Sequence, residues 1–419
     1  MQTGYQVQVA MTPEALDGSN IWDTGKVDSD RSIHVEYEGP ALESGRRYYW
    51  RIRAWDRHHR ASSWSQPVYW EMGLLHPTDW KVQWIEPVLE EDSTKSNPAP
   101  ILRGEFRVDG EIARARAYVT ALGLYQLELN GRRVGDQLFT PGWTSYNTRL
   151  QYQTYDITDL LQQGDNAAGV MLGDGWYRGR LAWGEQRNTY GKDLALLTQI
   201  VIEYADGREQ IAGTDQRWTA STGPIRFSDI YNGELYDARL EKEGWSQAGF
   251  DDSDWTAVRT VARPLATLIA PAGPPVRAIE ELTPVEIIKT PAGETVFDLG
   301  QNMVGWVRLK VRGPRGTSVK LRHAEVLDQD GNFYTDNLRS AAAATEYILK
   351  GNGEEIYEPY FTFQGFRYVS LEGYPGEPGL DAVRGIVIHS DMPATGSFET
   401  SNELINRLQQ NIVWGQKGN

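Results

Sequence analysis

The sequence predicts an all-β fold, a tandem series of β-sandwiches, on three observations. Short stretches alternate apolar and polar side chains, turn dipeptides rich in Gly and Asn separate them, and the composition holds 15 Trp, 21 Tyr, 42 Gly and 20 Pro. Period-two alternation is the mark of a half-buried strand, and large aromatic residues suit a pleated surface. At 419 residues the chain exceeds one sandwich core. A prior of about 150 residues per domain gives two to four domains, with three as the working number.

Residues 1–75 read as a first small sandwich. Its clearest strand is Arg47-Tyr48-Tyr49-Trp50-Arg51-Ile52-Arg53-Ala54, where Tyr48, Trp50, Ile52 and Ala54 face one way and Tyr49, Arg51 and Arg53 the other. Val68-Tyr69-Trp70-Glu71 reads as a closing strand. Tyr5-Gln6-Val7-Gln8-Val9 has the pattern of an inner strand, so an opening strand is expected upstream. His58-His59, beside Asp56 and Arg57, marks a hairpin tip.

The second domain is expected over residues 77–264. Glu90-Glu91-Asp92-Ser93-Thr94-Lys95-Ser96-Asn97-Pro98-Ala99-Pro100 reads as a solvated loop. The strand from Tyr125 ends at Asn130-Gly131, a dipeptide whose positive φ angles suit a type I′ turn, and the same logic applies at Asp206-Gly207. The connector Ala270-Pro271-Ala272-Gly273-Pro274-Pro275 leads to a third sandwich over 276–396, with Val307, Leu309 and Val311 on the face opposite Arg308, Lys310 and Arg312. Over 400–419 the pattern becomes helical. Thr400-Ser401-Asn402-Glu403 has capping-box spacing, and Leu404, Ile405, Leu408 and Ile412 fall on one stripe that needs an apolar partner.

A formal charge of −15 with no Lys/Arg cluster argues against nucleic acid as a partner. The absence of cysteine excludes disulfides, thiolate metal sites and a cysteine nucleophile. No apolar run approaches the roughly 18 residues of a spanning helix, which argues against a membrane partner, and the opening Met1-Gln2-Thr3-Gly4-Tyr5-Gln6-Val7 is no signal peptide. The compartment stays open, with the cytoplasm favoured. Nothing bears on the oligomeric state.

Three stretches, taken in order, resemble the amino-terminal half of bacterial α-L-rhamnosidases of the glycoside hydrolase family 78 type. The first is Phe139-Thr140-Pro141-Gly142-Trp143-Thr144-Ser145-Tyr146, leading to Gly173-Asp174-Gly175-Trp176-Tyr177-Arg178-Gly179. The second is Tyr231-Asn232-Gly233-Glu234-Leu235-Tyr236-Asp237-Ala238-Arg239. The third is Phe297-Asp298-Leu299-Gly300-Gln301-Asn302, joined to Phe363-Gln364-Gly365-Phe366-Arg367. The resemblance implies a fibronectin type III-like module, a jelly roll and a concanavalin-like supersandwich, followed by an (α/α)6 barrel whose first helix starts near residue 400. It implies inverting hydrolysis of terminal α-L-rhamnose by residues of that barrel. No residue of this chain is therefore expected to be catalytic, and the expected role is a non-catalytic scaffold. The alternative is a stand-alone carbohydrate-binding or structural protein. A β-galactosidase or β-glucuronidase relative shares the jelly-roll cues but not this domain order.

The resemblance also implies a sugar site in the jelly roll, since some members carry a calcium-dependent rhamnose site there. Its expected walls are Asn147, Thr148, Asp174, Trp176, Asn232, Glu234 and Tyr236, with rhamnose-containing glycans as partners. No cofactor is required, but calcium could be held by Asp174, Glu234 and Asp237, which offer hard oxygens. Asn147 and Thr148 stand where the binding members have an acid and an amide after the tyrosine, which removes a charge from the metal.

Other signals have plainer readings. An inverting glycosidase needs two carboxyl groups roughly 6.5–9.5 Å apart, but with 57 carboxylates in the chain adjacent pairs arise by chance. Asp251-Asp252-Ser253-Asp254 reads as a surface turn. The glycines from Gly173 to Gly179 miss the dinucleotide spacing by one place. The six histidines lack metalloprotease spacing and read as surface or core residues. Asn302-Met303-Val304-Gly305-Trp306 reads as a tight turn followed by a core Trp.

Overall fold

The computed structural model describes residues 1–18, 21–181 and 186–418. They form two compact units, Met1–Lys81 and Val82–Asn419.

The first unit is built on a four-stranded antiparallel sheet in the order Trp22–Asp23, Gln2–Ala10, Arg47–Asp56, Val68–Glu71. The alternation predicted for the third of these holds. Tyr48, Trp50 and Ile52 join Val7, Val9 and Trp70 in the apolar cluster, while Arg51 and Arg53 on the other face each lie 4.6 Å from the Trp64 ring. Cation–π contact lets that face carry charge beside an indole. Residues 28–46 form no strand, yet they lay Tyr37 and Leu42 over the cluster. That layer of the unit is irregular chain.

The second unit contains two large sheets. One has eleven strands and bends into a sandwich through Thr256–Val261, which pairs with Trp84–Pro87 along one part of its length and with Thr219–Thr222 along another. The hairpin at Asn130-Gly131 forms as expected, with φ of 51° and 77° matching the type I′ requirement. At Asp206-Gly207 only Gly207 has positive φ, and its N–H donates to the Tyr204 carbonyl. That turn is therefore not type I′.

The other sheet has ten strands around Thr295–Arg312, an 18-residue strand that pairs with four others. Val307, Leu309 and Val311 are buried in it, as their alternation predicts. Its far edge was not expected. The hairpin of Ile225–Asp229 and Gly233–Asp237 lies inside the stretch assigned to the second domain, yet it joins this sheet by parallel pairing of Gly233–Asp237 with Ala344–Ile348. Gly233 makes the pairing possible: its φ is +106°, and a Cβ there would lie 1.6 Å from the Ala344 carbonyl oxygen.

One core crosses the expected boundary at 264–276. Ile101, Leu124, Phe139 and Met171 from the earlier part cluster with Phe297, Trp306, Leu309 and Phe366 from the later part. Full burial of each such side chain stabilises the fold by roughly 1.5–3 kcal/mol. The second and third sandwiches thus share a hydrophobic interior and form one compact unit.

The helix Glu403–Lys417 is capped by Asn402, whose side chain accepts from the N–H groups of Leu404 and Ile405. Thr400, the expected cap, instead bonds Asn402 and Asn406 from outside the helix. Two residues of offset place Asn402 where it can reach two orphan donors. Trp414 packs on the shared core, and Lys417 reaches Glu280 at 3.2 Å. The expected apolar stripe stays in solvent, with Leu404 81%, Ile405 44%, Leu408 57% and Ile412 54% exposed.

Candidate functional site

The two segments expected as the first walls of a site do meet. Tyr146 is buried, its ring 5.5 Å from Tyr177 and 4.9 Å from Tyr190, and this anchors the turn that exposes Asn147 and Thr148. Thr148 turns inward through its N–H and hydroxyl, both donating to the Ser145 carbonyl. Trp176 lies on the short helix Gly175–Arg178, where Trp143 stacks on it at 5.9 Å with the planes 6° apart. Phe139 and Phe363 back the pair. Trp143 is 54% exposed and its indole N–H donates to the Tyr190 hydroxyl at 3.1 Å. The exposed half of this pair is a flat apolar face beside hydrogen-bonding groups, the form that receives the C–H face of a sugar ring. Trp143 belongs to the first motif, but its exposure follows from the turn and not from any period.

The acidic candidates serve the fold. Asp174 is 4% exposed and holds two buried guanidinium groups, Arg178 at 2.5 Å and Arg187 at 2.7 Å, with the Ser96 hydroxyl at 2.8 Å. Burial alone would lower the pKa of Arg178, but Asp174 and Glu91 together hold it above its ordinary value. The 90–100 segment is thus anchored at Glu91 and Ser96 and is solvated only in part.

Glu234 is 1% exposed, and burial pushes its carboxyl pKa up to about 7. It accepts from the Tyr357 hydroxyl at 3.0 Å and from the backbone N–H groups of Tyr360 and Phe361. Asp237 is tied to Arg239 by two bonds of 2.8 and 2.7 Å, and that guanidinium holds its carboxyl below the usual range. Asn232 donates to Asp229 and accepts from the N–H of Ala342.

Calcium does not fit this donor set. The ion requires six to eight converging oxygens, yet the Asp174 oxygens face guanidinium groups, and Glu234 and Asp237 project from opposite faces of one strand. Among the described residues no group of three or more acidic or histidine side chains is arranged to hold a metal ion. Asp252 likewise bonds Arg103 and Thr219, so the Asp251–Asp254 run is a structural turn. Tyr236 lines a cavity, where its ring stacks on Tyr360 at 5.9 Å.

The third motif is also a structural joint. Asp298 pairs with Arg367 through bonds of 2.7 and 2.6 Å, and it accepts the N–H of Gly300 where the strand bulges. Sequence reasoning linked these stretches by order, and the strand register Phe297 to Val369 links them in space.

Comparison with known proteins gives three family matches. Residues 1–76 match the N-terminal immunoglobulin domain of Rha78A-like proteins, 110–280 the N-terminal domain of α-L-rhamnosidase, and 288–389 the concanavalin-like domain of bacterial α-L-rhamnosidase. An α-L-rhamnosidase of Streptomyces avermitilis is 35% identical over 586 residues, covering all of this chain and 57% of that protein. One from Formosa agariphila is 39% identical over 429 residues, with 46% of it covered. The crystal structure of the Streptomyces avermitilis enzyme complexed with L-rhamnose superimposes on the whole chain with a TM-score of 0.95 at 34% identity, covering 57% of that structure. Native α-L-rhamnosidase from Aspergillus terreus gives 0.94 at 40% identity, covering 48%. The chain spans about half the length of the curated relatives it matches.

Proposed function

Since the chain carries the N-terminal and concanavalin-like, non-catalytic domains of the α-L-rhamnosidase family, we propose that it is the scaffold half of an enzyme that hydrolyses terminal α-L-rhamnosides. The chemistry resides in the portion that the relatives carry beyond the matched half.

The apolar stripe of Glu403–Lys417 carries this reading. A helix fixed at both ends, by Asn402 and by Trp414 with Lys417, while Leu404, Leu408 and Ile412 face solvent, has the form of a docking element. Exposed apolar surface of this kind is normally covered by another domain. The acidic side chains of the three motifs are bound up in ion pairs and backbone contacts, which suits a scaffold and leaves them unsuited to shuttle protons.

A second reading is that this half itself holds rhamnose-bearing glycan, and the stacked Trp143–Trp176 face favours it. Calorimetry with methyl α-L-rhamnoside tests it. Heat lost on Trp143→Ala and unchanged by a chelator is the expected result, and no heat from the unaltered chain counts against this reading alone.

A further inference from the structure

We propose that the cavity between Trp245, Tyr236, Tyr360 and Glu128 is a binding site for one neutral pyranose ring, separate from the Trp143 face. It has a volume of about 420 Å³, within the range of small-molecule sites. Its walls come from the strand Leu124–Leu129, the turn at 241–247, the strand Gly233–Asp237 and the segment around Tyr360.

The apolar wall is rigid. The Trp245 ring lies against the backbone of Gly169, where a Cβ would come within 2.6 Å of the ring. Its carbonyl accepts from the buried guanidinium of Arg103 at 2.9 Å, which fixes the turn. Tyr236 and Tyr360 are parallel within 4°. Pre-placed aromatic surface suits a sugar, because its C–H face gains contact while little side-chain freedom is lost.

The polar groups converge. Glu128 accepts from Ser246 through Oε2 at 2.5 Å, and its Oε1 has no hydrogen-bond partner among the described residues. Burial raises the carboxyl pKa of Glu128 above its ordinary value, and the unpartnered Oε1 is an acceptor for a ligand hydroxyl. Around the rim, the Tyr236 hydroxyl donates to Glu241 at 3.1 Å and Lys350 donates to the other Glu241 oxygen at 2.6 Å. Lys350 is therefore neutralised. The lining carries three carboxyl groups, Glu128, Glu241 and Glu243, against Lys242 and the paired Lys350, which disfavours an anionic ligand, whereas a polyol finds both donors and acceptors over an aromatic floor. The ring class follows from this chemistry and does not rest on the family assignment.

Isothermal titration calorimetry with the methyl glycosides of D-glucose, D-galactose and D-mannose tests the site on the whole chain. At least one should bind in the millimolar range. Glu128→Ala should weaken it about 10-fold or more, as should Gln247→Trp, an exposed lining position where a larger ring fills the mouth. Gln247→Trp carries the test if Glu128→Ala fails to fold. Trp143→Ala should leave this binding unchanged, which separates the cavity from the stacked pair. No binding of any glycoside up to about 10 mM, or binding that survives Gln247→Trp, overturns the proposal. Neither outcome touches the scaffold reading, which is tested by turnover.

Discussion

The Glu234 carboxylate accepts the Tyr357 hydroxyl at 3.0 Å, although 123 positions separate them in the chain. Together with the amides of Tyr360 and Phe361, this bond holds the 225–237 hairpin to the ten-stranded sheet. Glu234→Ala would strand two buried N–H groups and a hydroxyl, at a cost of about 3–5 kcal/mol, while Glu234→Gln should cost less than half as much. Urea unfolding of the two variants checks the order. Equal losses would mean that side-chain volume, not the acceptor, holds the hairpin.

Glu234 and His323 give opposite pH dependences. The pKa of Glu234 rises from 4.5 to about 7 in the fold, so the folded state binds the extra proton. Its contribution is complete below about pH 4.5 and is lost as pH rises through about 7, by roughly 3 kcal/mol. His323 is buried, donates through Nδ1 to the Ala343 carbonyl at 2.8 Å and leaves Nε2 unpartnered, and burial lowers its pKa from 6.5 to about 4. Its contribution is present above about pH 6.5 and is lost, again by roughly 3 kcal/mol, as pH falls through about 4. Glu234→Gln should therefore leave stability rising with pH from about 4 to 6.5, and His323→Phe should leave it falling from about 4.5 to 7. Denaturation midpoints that run parallel for both variants would refute the assignment.

Asp174 is the counter-charge for two buried arginines. Asp174→Ala should cost about 3–5 kcal/mol, because among the described residues Arg178 keeps Glu91 and the Lys192 carbonyl, and Arg187 keeps a distant Asp229 at 3.9 Å. A chelator should leave the melting temperature of the unaltered chain where it is. A fall on chelation would show that a metal ion, not the guanidinium pair, satisfies this carboxylate.

The exposed stripe makes a surface prediction. Leu408→Lys with Ile412→Lys should shift stability by no more than about 0.5 kcal/mol while reducing self-association of the chain. Trp414→Ala, which removes a ring packed on the core, should lower stability. Light scattering and thermal melting together distinguish the two. A large loss of stability in the double lysine variant would mean that the stripe packs on the sandwiches.

Strand faces were legible because alternation is a local property: Tyr48, Trp50 and Ile52 point inward as the sequence requires, and Asn130-Gly131 turns as its φ preference demands. Strand partners were not. Nothing local to Gly233–Asp237 says that it pairs with Ala344–Ile348, since alternation specifies which face is buried and not which neighbour is bonded. The same gap misdirected the site. Glycines and acids in Gly173–Gly179 and Asn232–Asp237 have the composition of a ligand loop, but Asp174 and Glu234 are spent on Arg178 and on the Tyr360 amide. The residues around Trp245 come from distant segments and form no motif.

The most direct measurement of the central claim is hydrolysis of a chromogenic α-L-rhamnoside by the purified 419-residue chain. A scaffold half should show no turnover above buffer, while a protein that continues into the portion the relatives carry should show it. Turnover by the chain alone, retained through repeated purification, would contradict the assignment of the chemistry to that portion.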